Sequence, residues 1–463
     1  MGKDLMCRRK RLKRNHHEEI FKKTRANVQF EDLPGDLLST VLSKLPLKDA
    51  VRTGVLSSKW KDMWKVCPKL KFDRGIVSGA NMFEGQQYTQ KFINSVKAVM
   101  QQRQSKVVEE LQIKFEVDSS LVGHIDSWVD FAVSSRVKNL ALDLSPIKFL
   151  GQNQYRFPFK LLDGSYISRL QHIQLSYTSF ELAPQFSGFP NLRALDLHYI
   201  CVTRHVLQDM LSNCINLERL SLVRCHLNDE LKVARPLSNL LYLCVAHCDI
   251  TRIELNAIKL RTFIFYGVLH PIDLGHTPEL KDTSLQLLCS ITFEHAFTAL
   301  ANVLPSVQNL IFRAYVSLKT PLMENLCKFS RLKSLQLWLS IPNYGEDDNI
   351  VSLSSILRAA PLTEKLEIHF RTLWAITCWG LGSVKRLPRC PRNYMKNVHI
   401  TGYMGSVGEL ELLLHIVENA AALEENEEQL RESVVKLLKG IAGEVYMSRH
   451  GWRVGVKRLE NGS

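Results

Sequence analysis

Residues 30–72 read FEDLPGDLLSTVLSKLPLKDAVRTGVLSSKWKDMWKVCPKLKF, and this stretch sets the reading of the chain. Pro34 suits the first turn of a helix, where a missing N–H costs nothing. Leu37, Leu38, Val41, Leu42 and Leu45 follow at helical spacing. Pro46 ends that helix, because the residue before a proline is pushed out of α space. Leu47 to Val55 predict a second short helix. Ser57 is the expected N-cap of a third, on which Trp60 and Trp64 stand four apart and share a face. Three short helices cannot bury all these groups by themselves. The apolar surplus calls for the rest of the chain or a partner.

The stretch closely resembles the F-box of plant proteins. The matching positions are Leu33-Pro34, Leu37, Val41-Leu42, Leu45-Pro46, Asp49, Arg52, Leu56-Ser57, Trp60, Leu70 and Phe72. The resemblance implies a module that binds the Skp adaptor of a Skp–cullin–F-box ubiquitin ligase. It makes Leu33, Pro34, Leu37, Val41, Leu42, Leu45 and Trp60 the expected adaptor-binding residues. The competing reading is an ordinary helical hairpin inside a larger core.

The chain has 463 residues, 45% of them hydrophobic, which is enough for two or three domains with sizeable cores. No apolar run approaches the ~20 residues of a membrane helix. The N-terminus is charged, so a secretory leader is not expected. Met6 stands where a myristoylation motif needs Ser or Thr. The 11 cysteines are odd in number and scattered, with no CxxC pair, which fits reduced thiols in a cytosolic or nuclear protein. Half of the formal charge of +14 lies in the first 25 residues, where ten cations outnumber three anions. Arg8, Arg9, Lys10, Arg11, Lys13 and Arg14 form the kind of cluster that reads as a nuclear-import signal or a nucleic-acid contact. No aromatic is interleaved with them, so bases have no stacking platform, and specific nucleic-acid binding is not expected. The simpler role for such an arm is solubility.

Phe83 to Gln104 predict an amphipathic helix with Phe92, Val96, Val99 and Met100 on its apolar side. From about Val107 short strands recur at irregular intervals of roughly 20–33 residues, the range of leucine-rich solenoids. Each has two apolar residues separated by one, with a further apolar residue three before them. The pairs are Leu111/Ile113, Leu140/Leu142, Ile173/Leu175, Leu195/Leu197, Leu220/Leu222, Leu243/Val245, Phe263/Phe265, Leu310/Phe312, Leu335/Leu337, Leu366/Ile368 and Val398/Ile400, with a fainter unit at Leu280 to Leu285. Val206 to Cys214 predict a connecting helix. Such units bury their apolar faces by stacking, and a parallel sheet then lines one curved face. The segment resembles the leucine-rich repeats of plant F-box proteins. Residues 395–422, MKNVHITGYMGSVGELELLLHIVENAAA, resemble the start of the FBD region that follows such repeats. The likeness lies in a strand, then Gly402 and Gly405, then a helix with Leu410, Leu412, Leu413, Ile416 and Val417 on one side. An acidic run, Glu424-Glu425-Asn426-Glu427-Glu428, stands where that family usually has a strand. Val434 to Ile441 read as helical, and the basic end beyond Trp452 as a final strand or a frayed tail.

The expected architecture is therefore an α+β solenoid: a disordered basic arm over 1–25, a three-helix F-box over 26–75, a helical linker over 76–106, irregular leucine-rich repeats over 107–385, an FBD-like region over 386–455 and a tail over 456–463. Cys225-His226, Cys244, His247 and Cys248 carry zinc-ligand chemistry. Cys225 and Cys248, however, stand three after Leu222 and Val245, where such repeats place Asn or Cys as the strand turns away, and Thr178 holds the same place in an earlier unit. His16-His17-Glu18-Glu19 lacks the H-E-x-x-H order, and neither a G-x-S-x-G elbow nor a phosphate loop occurs. No metal, cofactor or catalytic residue is expected. Trp128, Trp338, Trp374 and Trp379 are read first as core and second as anchors of a binding face.

The resemblance implies a non-catalytic substrate receptor, in the nucleus and/or cytoplasm, that holds a Skp-type adaptor, through it a cullin, and an unknown target destined for ubiquitination and degradation. Ala141, Asp196, Ser221 and Gln336 lie between paired core residues, and are expected to face outward, to contact the target and to vary at little cost in stability. The rival reading is a nuclear scaffold that binds nucleic acid or chromatin through its basic arm, without a ligase role.

Overall fold

A computed structural model of the chain describes residues 33–45, 47–55, 60, 62–77, 86–105, 107–116, 121–146, 154–182, 186, 188–292, 296–297, 300, 303–317, 329–341, 350–372, 387, 389–390, 393–403, 407–419 and 443–448. A helix-rich N-terminal region is followed by a long repetitive parallel sheet of the leucine-rich-repeat kind. The chain divides into two compact units, Met1–Ala141 and Leu142–Ser463.

The first unit opens with α1 (Gly35–Leu42) and α2 (Leu47–Arg52), the latter continued by a 3₁₀ turn at Thr53–Val55. Pro34 is the N-cap of α1, and its carbonyl accepts the Leu38 N–H at 3.1 Å. Trp60 is helical and buried, and Trp64 is buried in a 3₁₀ turn at Met63–Val66. Ser57, the expected third cap, lies outside the described residues. The strand β1 (Lys69–Phe72) buries Leu70 and Phe72 and pairs in parallel with β2 (Glu110–Lys114). The end of the F-box-like stretch is thus already sheet. Helix α3 (Gln86–Gln102) runs between the two strands and buries Phe92 and Val96, while Val99 and Met100 are half-buried. Its exit is tied back to the N-terminal helices: Arg103 donates to the Cys67 carbonyl at 2.8 Å, and the Gln104 N–H to the Lys65 carbonyl at 3.3 Å. Helix α4 (Val122–Ser134) packs Ile125, Trp128, Val129 and Ala132 inward, and β3 (Asn139–Asp143) follows.

The second unit opens with β4 (Tyr155–Phe157), the single turn α5 (Gly164–Ile167), β5 (His172–Ser176), β6 (Thr178–Phe180), β7 (Ala194–His198), α6 (Arg204–Leu211) and β8 (Arg219–Val223). β9 (Asp229–Lys232), β10 (Tyr242–Ala246), β11 (Ile250–Glu254), β12 (Thr262–Gly267), β13 (Ile272–Asp273), β14 (Asp282–Thr292), β15 (Asn309–Ser317) and β16 (Ser334–Ile341) follow. The unit ends with α7 (Ser354–Ala359), β17 (Lys365–Thr372), β18 (Asn397–Tyr403), α8 (Val407–Asn419) and β19 (Gly443–Ser448). Strands β5, β7, β8, β10, β12, β14, β15, β16, β17 and β18 lie side by side in that order, and β19 closes the edge antiparallel to β18. Each paired core residue read from the sequence sits inside its strand and is buried, and so is the residue three before it, from Leu170 to Met395. Burying one leucine contributes about 1.5–3 kcal/mol, so stacking supplies what no single repeat could hold. A smaller parallel ladder, β9–β11–β13, runs along the connections.

Register is set by a repeated backbone device. The carbonyl just before each strand accepts two N–H groups of the next repeat. Gln171 takes those of Arg193 and Ala194, Arg193 takes those of Glu218 and Arg219, and the series continues to Glu364, which takes those of Lys396 and Asn397. A second device closes the strands. Tyr177, Tyr199, Arg224 and His247 each have φ between 53° and 58°, and each donates its N–H to a carbonyl in the last two residues of the next strand: His198, Val223, Ala246 and Tyr266. A left-handed residue costs a non-glycine on the order of 1 kcal/mol or more; here each is held by a hydrogen bond. At Gly402 the same geometry, φ 72°, is combined with contact, and a Cβ would overlap the Phe370 carbonyl oxygen. Helix α8 buries Leu410, Leu412, Leu413, Ile416 and Val417, and also Glu409, Glu411 and His415, so it is enclosed on more than its apolar side. The expected helix at 434–441 and the end beyond Trp452 lie outside the described residues, and β19 stands between them.

Candidate functional site

Two surfaces stand out, one in each unit. On α1, Leu38 and Leu42 are 0% and 1% exposed and form the inner stripe. Leu37, Val41 and Leu45 follow one another at four-residue spacing and are 49%, 40% and 40% exposed. Residues four apart on a helix are surface neighbours, so Leu37 and Val41 form an apolar stripe on α1 turned to solvent, and Leu45, in the turn three residues past the helix end, is open to solvent as well. Pro34 is exposed beside it and Leu33 half-buried. Among the seven residues expected to meet an adaptor, Leu42 and Trp60 belong to the unit's own core, and the others line or flank the stripe. Val51 and Val55 are exposed as well, the latter at 88%, and were not anticipated. Their own spacing of four along the second predicted helix is the signal that marks them. The stripe ends at a cleft of about 660 Å³ with Leu45, Leu47 and Ile76 on its walls and Lys44, Lys48 and Lys71 among its cations. The cluster at Arg8 to Arg14 lies outside the described residues.

The outward face of the repeat sheet does not match the expectation placed on it. Ala141, Asp196 and Ser221 are buried, and only Gln336 is half-exposed. Asp196 is covered by longer neighbours. His172 Nε2 lies 3.0 Å from Asp196 Oδ2, Arg219 donates from Nε to Asp196 Oδ1 at 3.1 Å, and the same guanidinium lies 4.1 Å from the centre of the Tyr242 ring. Burial acts to raise the Asp196 pKa, but the hydrogen bonds from His172 and Arg219 and their charge outweigh it and hold the carboxyl below its ordinary value. Asp196 is a structural carboxylate, and a lysine there is not a harmless change.

Exposure rises further along the sheet. Trp338, read first as core, is 40% exposed. It is paired across the strands with Arg313 on one side and His369 on the other. The His369 ring stacks on it with centroids 3.9 Å apart, and the Arg313 guanidinium lies 5.5 Å from its centre. His369 is fixed by Thr401 Oγ1 at 2.7 Å from Nδ1, and Gln336 donates to Glu367 Oε2 at 2.7 Å. Trp128 is buried; Trp374 and Trp379 lie outside the described residues.

The cysteines at the repeat turns bond the backbone. Cys225 Sγ donates to the Leu197 carbonyl at 3.2 Å, and Cys248 Sγ to the Leu222 carbonyl at 3.4 Å, each one repeat back. The hydrogen bond with Cys248 and then burial push the Cys225 thiol up. Among the described residues no group of three or more His, Cys, Asp or Glu is placed to hold a metal, and no helix is long and apolar enough to cross a membrane.

Residues 30–72 match the F-box domain family, and residues 99–430 match the family described as At1g61320/AtMIF1, LRR domain. The F-box/FBD/LRR-repeat protein At1g13570 of Arabidopsis thaliana is 30% identical over 215 residues, 46% of this chain and 47% of that protein. Longer matches from the same plant are the putative FBD-associated F-box protein At1g61330 and the F-box/FBD/LRR-repeat protein At4g26340. The first is 22% identical over 86% of this chain and 90% of its own length, the second 24% over 85% and 91%. With an F-box match at the helices and a repeat match over more than half its length, the chain belongs to the plant F-box/FBD/leucine-rich-repeat proteins, a non-catalytic class.

Proposed function

We propose that the chain is the substrate-recognition subunit of a Skp–cullin–F-box ubiquitin ligase. Its N-terminal helices, as a three-helix F-box, hold the Skp adaptor and through it a cullin, and its repeats hold a target protein. The observation that carries the reading is the solvent-facing stripe Leu37, Val41 and Leu45 beside the buried Leu38 and Leu42. An isolated exposed leucine is unremarkable, but a contiguous apolar stripe marks an interaction surface. The cations around its far end suit a partner that brings acidic groups. The relatives' names, F-box with FBD or LRR repeat, support the same assignment. The chemistry occurs elsewhere in the complex. This chain supplies proximity, which turns an encounter between target and transferring enzyme into an effectively intramolecular one. The segment from β18 through α8 serves as the FBD-like end of the repeats, and the arm over residues 1–25 directs the protein to the nucleus.

The test is affinity purification of the tagged full chain from plant cells. The adaptor and a cullin are expected with the wild type. Both are expected to be lost with Leu37→Asp and Leu45→Asp together, at unchanged Tm, because neither residue is core. Undiminished adaptor with that variant contradicts the reading.

A further inference from the structure

Within the second unit, the alternation of buried and open residues fixes which side chains share the sheet's outward face. In β12 the residues Phe263, Phe265 and Gly267 point to the core, and Val268, just past the strand end, is exposed; in β14, Thr283, Leu285 and Leu287 are core and Leu288, at a register break, is exposed. In β15, Leu310, Phe312 and Ala314 are core and Tyr315 is outward; in β16, Leu335, Leu337 and Leu339 are core and Trp338 is outward. These four residues are 46%, 44%, 40% and 40% exposed and belong to four adjacent strands or their ends; the register sets Trp338 level with Arg313, and Tyr315 two residues further on, level with Ser290 and Ser340. Parallel neighbours are about 4.8 Å apart, so this staggered row spans about 14 Å across the strands, the length of about four extended residues. Apolar side chains collected in one open row are the exception on a repeat sheet whose earlier outward positions, Asp196 and Ser221, are covered.

The row carries its own charge. Arg313 stands directly opposite Trp338 and two residues before Tyr315 in β15, and its guanidinium lies over the Trp338 ring. The nearby carboxylates are engaged: Glu367 with Lys365 and Gln336, and Asp282 with Asn309. A guanidinium held over an aromatic face, with no hydrogen bond to its donors among the described residues, suits a carboxylate, which it can bind in bidentate fashion. Trp338 is pre-positioned by the His369 stack, so little rotamer freedom is lost when a ligand covers it.

We infer that the row Val268, Leu288, Tyr315 and Trp338, with Arg313, is the target-docking site, and that it takes an extended protein segment in which aliphatic or aromatic residues stand next to Asp or Glu. This rests on the reading of the chain as a substrate receptor, and its test separates the two. The full chain in complex with its adaptor is used to select from a library of displayed random peptides of about a dozen residues. Selections are run in parallel on wild type, Trp338→Ala and Arg313→Glu, with adaptor retention and Tm measured for each. Wild type is expected to enrich apolar–acidic segments. Trp338→Ala is expected to bind a selected peptide at least about tenfold more weakly, as a central aromatic anchor should. Arg313→Glu, which removes no core contact, is expected to shift the enriched set from acidic to basic residues. Enrichment that is the same in both variants, or segments without acidic residues, or no enrichment by wild type, overturns the docking site while adaptor retention leaves the receptor reading standing. Failure to retain the adaptor while peptide selection behaves as expected overturns the receptor reading instead.

Discussion

Asp196 shows how a residue between two core leucines comes to be structural. The L-x-L pattern places it on the outward face, and that much is legible. The pattern carries no information about what the neighbouring repeats extend over it, here His172 and Arg219 from strands 24 and 23 residues away in sequence. A buried carboxylate with two such partners is costly to reverse. Asp196→Lys is expected to destabilise the second unit by about 2 kcal/mol or more, since it leaves a cation facing Arg219. The pH dependence follows from the lowered pKa. The carboxyl is held below its unfolded value, so its contribution is present above about pH 4 and is lost as pH falls through the folded value. The Tm gap between wild type and Asp196→Asn should therefore narrow as pH falls from about 6 to about 3. A gap that stays constant assigns the stabilisation to something other than the ionised carboxylate. Trp338 is the complementary case, since composition alone favours core for a tryptophan and only its position on the open face makes it an anchor.

At the level of elements, strands with period-2 apolar pairs were readable one by one from Leu111/Ile113 to Val398/Ile400, because a one-residue slip would turn every leucine to solvent. What escaped the pattern was short or chemically ambiguous. β1 has only Leu70 and Phe72 alternating with Lys69 and Lys71, and β9 is Asp-Glu-Leu-Lys. The left-handed positions closing the strands are Tyr177, Tyr199, Arg224 and His247, none of them glycine or asparagine, so no turn signal announced them. Gly402 did announce itself. A side chain there meets both a left-handed backbone and the Phe370 carbonyl. Gly402→Ala is expected to cost about 3 kcal/mol or more and to raise amide exchange along β18 and β19. Exchange unchanged from wild type would show that the close approach at Phe370 is not needed for this edge of the sheet.

The molecule as a whole combines a compact unit that carries the F-box, a repeat sheet and a basic N-terminal stretch with half of the net charge. Exposed charges act over roughly a Debye length, about 8–10 Å at ordinary salt, so an arm distant in sequence from Leu37 to Leu45 should not tune adaptor binding. Deleting residues 1–25 is expected to lower nuclear accumulation of a fluorescent fusion and to leave adaptor affinity within about twofold; an unchanged distribution removes the import role. The central claim is that the stripe on α1 is the adaptor's docking surface. It is tested most directly by the Kd of the purified full chain for its Skp adaptor, measured calorimetrically for wild type and for Leu37→Ala, Val41→Ala and Leu45→Ala combined. Covering the exposed parts of these three side chains contributes roughly 3 kcal/mol, so the combined variant should bind about a hundredfold more weakly with an unaltered Tm. A Kd within about threefold of wild type would contradict the account.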